Sequence, residues 1–86
     1  MVRKKVTIRS EAGLHLRPAQ KLCEKAMEYG DTSVKICFRD REFNAKSVLG
    51  VLSACVQQMD EITLVCSGAQ EEQAGEELAA LLAEGE

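Results

Sequence analysis

Three residues of this chain have side chains and settings suited to chemistry: His15, Arg17 and Ser47. His15 is the only histidine, and the stretch Gly13-Leu14-His15-Leu16-Arg17-Pro18 around it holds the only proline. Proline in the first turn of a helix loses nothing, because its missing N–H would be unpaired there in any case. Ala19, Leu22, Cys23 and Ala26 follow at i, i+3, i+4 and i+7, one face of a helix. The spacing predicts a helix from about Pro18 to Tyr29, its first turn anywhere from Leu16 to Pro18, with His15 at or just before the cap. The positive end of that helix disfavours an imidazolium and keeps the ring neutral and nucleophilic. The free backbone N–H groups of Leu16 and Arg17 suit a phosphate, and the Arg17 guanidinium can hold phosphoryl oxygens in bidentate fashion. Gly13 allows a tight approach with φ > 0. An imidazole nucleophile beside an anion cradle fits a phosphoryl acceptor. A solvated cap residue is the plainer role for such a histidine, and these residues alone leave both open.

Ser47 precedes a second apolar run and reads as an N-cap, its hydroxyl accepting a backbone N–H. That run has two stripes, Val48, Val51, Cys55 and Leu49, Leu52, Val56. Only one can face a core fully; the other is a wider core face or a docking patch. Arg17, Lys21 and Lys25 form a basic stripe at i, i+4 and i+8, partly answered by Glu24 and Glu28. Beside His15 it could steer acidic partners, and Lys46 could join it.

The elements that must position these groups follow from side-chain period. In residues 2–9, Val2, Val6 and Ile8 alternate with Arg3, Lys5, Thr7 and Arg9, a half-buried strand. Val34, Ile36 and Phe38 repeat that pattern, "RDREFN" reads as a tight turn into a short strand through Phe43, and Ile62, Leu64 and Cys66 mark a third clear strand. Gly30 reads as a left-handed helix stop. The second helix is expected from Ser47 to about Gln57. A last helix, about Glu71 to Glu84, carries Ala74, Leu78, Leu81 and Leu82 as its apolar stripe, with Glu71 and Glu72 at its positive end. The order is β-α-β-β-α-β-α. Strands that alternate cleanly are covered on one side only. The expected fold is therefore α+β, a four-stranded antiparallel sheet with three helices on one face and an open polar face.

Composition narrows the function classes. The 86 residues form one small domain with no room for both a core and a deep cleft. Aromatic residues are 3% of the chain, so a base-stacking platform for nucleic acid is not expected. Residues 71–86 carry six Glu and no basic residue, whereas the rest holds all 11 basic residues and eight acidic ones. A mildly basic body points to an acidic partner or a phosphate. Cys23, Cys37, Cys55 and Cys66 have no C-x-x-C spacing and read as reduced core or sheet residues, with no metal site. The first ten residues do not read as a signal peptide, and no segment is long and apolar enough to insert in a membrane. No second acid or base accompanies His15 and no nucleotide loop is present, so an independent enzyme is not expected.

The segments "GLHLRPA", "NAKSVLGVLSA" and "EITLVCSGAQE", in this order, closely resemble the phosphocarrier protein HPr of the bacterial phosphotransferase system, over nearly the whole chain. The resemblance implies an open-faced β-sandwich and a cytoplasmic, monomeric carrier without a cofactor. It implies that His15 accepts a phosphoryl group on Nδ1 from phosphorylated enzyme I, itself charged by phosphoenolpyruvate, and passes it to IIA domains of sugar permeases, with Arg17 stabilising it. By the same resemblance Ser47 is the regulatory serine modified by HPr kinase/phosphorylase, which favours a catabolite-control repressor. Leu49 and Leu52, with Val48 at the edge, would form the docking patch. Leu16 is bulkier than the family's usual small residue, Met59 stands where glycine is common, and one residue is inserted around "YGDTSVKICFRD". Two other readings are a nitrogen-branch or regulatory paralogue, and an α+β domain that binds a small metabolite reversibly at His15 and Arg17.

Overall fold

Alternation of inward and outward residues, broken by a buried Val65 on the outer face, builds the sheet. Residues 1–9, 13–14 and 16–83 are described by a computed structural model. Their elements are β1 (Val2–Thr7), α1 (Leu16–Met27), β2 (Thr32–Phe38), β3 (Arg41–Asn44), α2 (Val48–Ser53), β4 (Glu61–Gly68) and α3 (Glu71–Ala83). The four strands form one sheet in the order β1-β4-β2-β3, every neighbouring pair antiparallel. Because β1 and β2 both run opposite to β4, they are parallel to each other, and β1-α1-β2 is a split βαβ unit with β4 slotted into it.

One sheet face is buried. Its rows run through Val6, Ile62, Leu64, Ile36, Cys66 and Val34, joined by Ile8, Phe38 and Phe43. Helix α3 packs on β1 and β4, α1 packs against α2 and α3, and α2 reaches β3. The helices contribute Ala19, Leu22, Ala26, Val51, Ala74, Leu78 and Leu82 to the same core. Gly75 lets α3 approach the sheet edge: a Cβ there would lie 3.0 Å from a Val2 methyl group. Lys4 shares this covered face, half-buried at its rim with its stem near Gly75, as long aliphatic stems allow. The opposite face carries Arg3, Lys5, Lys35, Glu42 and Glu61, all exposed, around a buried Val65.

The expected fold is the one observed, but some local expectations are not. The second helix ends at Ser53, not near Gln57, because Cys55 turns left-handed (φ 57°) just past the Ala54 cap. Cys55 is therefore exposed while Val56 turns inward, so neither apolar stripe survives as a continuous helical face. Gly30 has no positive φ. Helix α1 instead closes through a tight turn in which Glu28 and Tyr29 N–H donate to the carbonyls of Lys25 and Ala26. Leu81 is half-buried, at the margin of the stripe rather than within it. The β2–β3 hairpin turns on Arg39 (φ 52°) and Asp40 (φ 63°), the pair of positive values that a two-residue loop matched to strand twist requires.

Two consequences are measurable. Met59 is left-handed (φ 71°) and 63% exposed. Met59→Gly should relieve that conformation and raise stability by about 0.5–1 kcal/mol after glycine's own entropy cost, a melting temperature increase of roughly 2–8 °C. Glu77 accepts a hydrogen bond from the Tyr29 hydroxyl and pairs with Lys25 Nζ at 3.3 Å. The Tyr29 bond first, then Lys25, holds its carboxyl below the ordinary glutamate range. A carboxyl so lowered stabilises the fold above its unfolded value, and that contribution is lost as pH falls through the folded value. Glu77→Gln should lower the melting temperature at neutral pH, and the difference from the parent chain should shrink below about pH 4; circular dichroism melts across pH measure both.

Candidate functional site

The described frame of the site is made by the start of α1 and the segment that supports it. Pro18 and Ala19 are buried and anchor the first turn, while Leu16 (54% exposed) and Arg17 point outward. Pro18 is the third residue of the helix, still within the turn whose N–H groups have no intrahelical partner. The helix begins at Leu16, the early end of the expected range, so the Leu16 and Arg17 N–H groups belong to its first turn. His15 lies outside the described residues. Its neighbour Leu14 is buried and donates its N–H to the Val56 carbonyl at 2.9 Å. Gly13 has φ 72°, and a Cβ there would run into the Val56 carbonyl oxygen and the Gln57 Cα; glycine is required for this approach, as its place before the histidine suggests.

Ser47 caps α2 from extended backbone (φ −116°, ψ 118°), its Oγ accepting the Gly50 N–H at 3.1 Å. Its carbonyl accepts the Val51 N–H at 3.0 Å. The residue before it is tied to α1 by two bonds that the sequence pattern did not reveal. The Cys23 thiol donates to the Lys46 carbonyl, and the Lys46 ammonium donates to the Tyr29 carbonyl, each at 2.9 Å. Lys46 thereby sits at the negative end of α1, its ammonium engaged by a backbone carbonyl. These bonds fix the start of α2 relative to α1.

The remaining candidates divide. Leu49 is 79% exposed, the most exposed large apolar residue of the described chain, whereas Val48 and Leu52 are half-buried against the core. Lys21 is half-buried on α1. Lys25 Nζ lies 3.3 Å from both Glu28 and Glu77, and these bonds, Glu28 first, raise its pKa. Its charge is answered by α3 as well as by its own helix. Glu77 could not be foreseen as a partner because the contact joins residues 52 positions apart. Cys23, Cys37, Cys55 and Cys66 are free thiols, Cys66 buried and Cys55 exposed. Among the described residues no His, Cys, Asp and Glu group could hold a metal, and no helix is long and apolar enough to cross a membrane.

The sequence matches the family described as the PTS HPr component phosphorylation site over residues 2–84. The chain belongs to the HPr family. The phosphocarrier protein HPr of Lysinibacillus sphaericus is 36% identical over 91% of this chain and 88% of its own length. The HPr-like protein Crh of Bacillus subtilis (strain 168) is 38% identical over 98% of each chain. Its crystal structure, described as an intertwined dimer with a swapping domain, has a TM-score of 0.80 at 35% identity, covering 100% of this chain and 98% of that one. The crystal structure of HPr from Bacillus anthracis str. Ames has a TM-score of 0.88 at 31% identity, covering 94% and 95% of the two chains. The HPr fold of those structures, an open four-stranded sheet with three helices, is the fold of this chain.

The Ser47 cap gives a direct test of its structural share. Ser47→Ala should cost about 1 kcal/mol, while Ser47→Asp, itself a good cap with a charge suited to a helix start, should melt within about 0.5 kcal/mol of the parent. Urea titration of the two variants measures this.

Proposed function

We propose that this chain carries a phosphoryl group on His15 from phosphorylated enzyme I to IIA domains of sugar permeases. The observation that carries the reading is the match to the HPr phosphorylation-site family across residues 2–84, in a chain with a single histidine. In the first transfer, His15 Nδ1 attacks the phosphorus as the phosphorus–nitrogen bond to enzyme I breaks; in the second, a IIA imidazole attacks and the bond to His15 breaks. The chain is a carrier and not a catalyst, since it turns over only by handing the group on. Support for the role of Arg17 comes from its exposure in the first turn of α1, where a guanidinium and the unpaired N–H groups of Leu16 and Arg17 can share the phosphoryl charge. No cofactor enters this chemistry.

Docking is assigned to Leu49, with Val48 and Leu52 beside it, and to Lys21 and Lys25 on α1. Lys25 contributes less because two carboxylates already hold it. Ser47 is the regulatory position, a substrate for HPr kinase/phosphorylase. Phosphate there still accepts from the helix start, so it changes surface charge more than fold. The added charge next to Leu49 weakens docking to acidic enzyme I and favours a catabolite-control repressor. We place the protein in the cytoplasm and take one copy as the acting unit, since Gly13 through Arg17 supply the reacting segment from a single chain. The swapped dimer described for Crh is the alternative assembly, which light scattering separates.

A regulatory paralogue is the second reading, favoured by an identity to Crh (38%) as high as that to HPr (36%). Phosphorus NMR after incubation with enzyme I and phosphoenolpyruvate decides between them. The carrier reading expects one base-stable, acid-labile phosphohistidine signal, absent in His15→Ala, and a reduced rate of formation in Ser47→Asp. No signal from the parent chain would leave the regulatory reading in its place.

A further inference from the structure

The segment between α2 and β4 is bonded both to Ile8, at the end of β1, and to Leu14, the residue before His15. Ile8 N–H donates to the Asp60 carbonyl at 2.9 Å and Met59 N–H to the Ile8 carbonyl at 2.6 Å. Leu14 N–H donates to the Val56 carbonyl at 2.9 Å. Five consecutive residues thus carry both contacts. The turn is closed by Asp60 itself: its Oδ2 accepts the Gln57 N–H at 2.9 Å, and its own N–H donates to the Gln57 carbonyl at 3.1 Å. Cys55 and Met59, on either side of Gln57, are left-handed without being glycine. Such backbone persists only where surrounding contacts over-determine it. Gly13 packs directly on Gln57, with no space for even a methyl group between them. The contact has no slack, so a shift of the turn must be passed to Gly13 and Leu14.

We propose that Asp60 is a positioning residue for phosphoryl transfer at His15. By closing the Gln57–Asp60 turn it holds the Val56 carbonyl in place; that carbonyl holds Leu14, the residue to which His15 is bonded. Asp60 acts through this chain and does not touch the phosphoryl group. The proposal rests on the carrier reading for its kinetics, since misplacing a reacting atom by about 1 Å can cost on the order of 100-fold in rate.

The test uses the whole chain and its single histidine as reporter. In Asp60→Ala, the rate of His15 phosphorylation by enzyme I and phosphoenolpyruvate should fall about tenfold or more. The titration midpoint of the His15 ring, read by proton–nitrogen NMR, should move, while amide resonances of β2 and β3 stay in place. Asp60→Asn keeps an oxygen to accept the Gln57 N–H and should restore both readouts. Should Asp60→Ala not fold, Asp60→Ser, whose hydroxyl is one atom short of that reach, carries the same expectation. A wild-type rate and midpoint in the Ala or Ser variant would overturn the proposal, as would an Asn variant as slow as Ala. A parent chain that takes no phosphate would instead sink the carrier reading, and the ring titration would still report whether the turn sets the histidine's surroundings.

Discussion

The pairing of β4 on both of its edges is the constraint on which the rest depends. Its inward residues Ile62, Leu64 and Cys66 are each at most 1% exposed, and its backbone is bonded to β1 on one side and β2 on the other. Without it β1 and β2 have no common neighbour, and the split βαβ unit has no sheet to close on. These pairings join residues 26 to 64 positions apart, so chain entropy opposes them until apolar burial on the covered face offsets it. The helices depend on the same burial: α3 lies over β1 and β4, and α1 is held against α2 and α3.

The functional frame is an extension of that strand. The chain enters β4 through the Val56–Asp60 turn, which continues the β1 pairing at Ile8 and then catches Leu14. The first turn of α1, with Arg17 on its outer side, is thereby placed by the strand that joins β1 to β2. A second set of bonds, from Cys23 and Lys46, sets the start of α2 and hence Ser47 against α1. The phosphoryl carrier proposed above has to meet its partners with one small surface. The exposed first turn of α1 and the exposed Leu49 leave such a surface open.

Much of the fold was legible because its periods are unmixed. Val34, Ile36 and Phe38 alternate with polar residues, and Ala19, Leu22 and Ala26 recur at helical spacing; all six are buried. Where the period was mixed, the reading failed. Residues 47–57 are apolar on several sides, and local pattern extended the helix beyond Ser53. The true stop is a left-handed Cys55, a conformation that cysteine does not advertise. Gly30 misled in the opposite direction, since glycine permits a left-handed stop without imposing one. The ammonium of Lys46 reaches the end of α1 through a contact across 17 positions that no local pattern displays.

The sequence by itself determined the element order, the one-sided burial of the sheet, the glycine before the histidine and the serine that caps α2. Each of these follows from side-chain size, period or a hydrogen bond to a near neighbour in the chain. Tertiary structure alone decided that α2 is short, that Lys25 is held by Glu77 of α3, that Lys46 belongs to the end of α1, and that Asp60 closes the turn beneath Leu14. Those outcomes depend on which distant segments are brought within hydrogen-bond reach. That is settled by packing the core as a whole, not by any local run of residues.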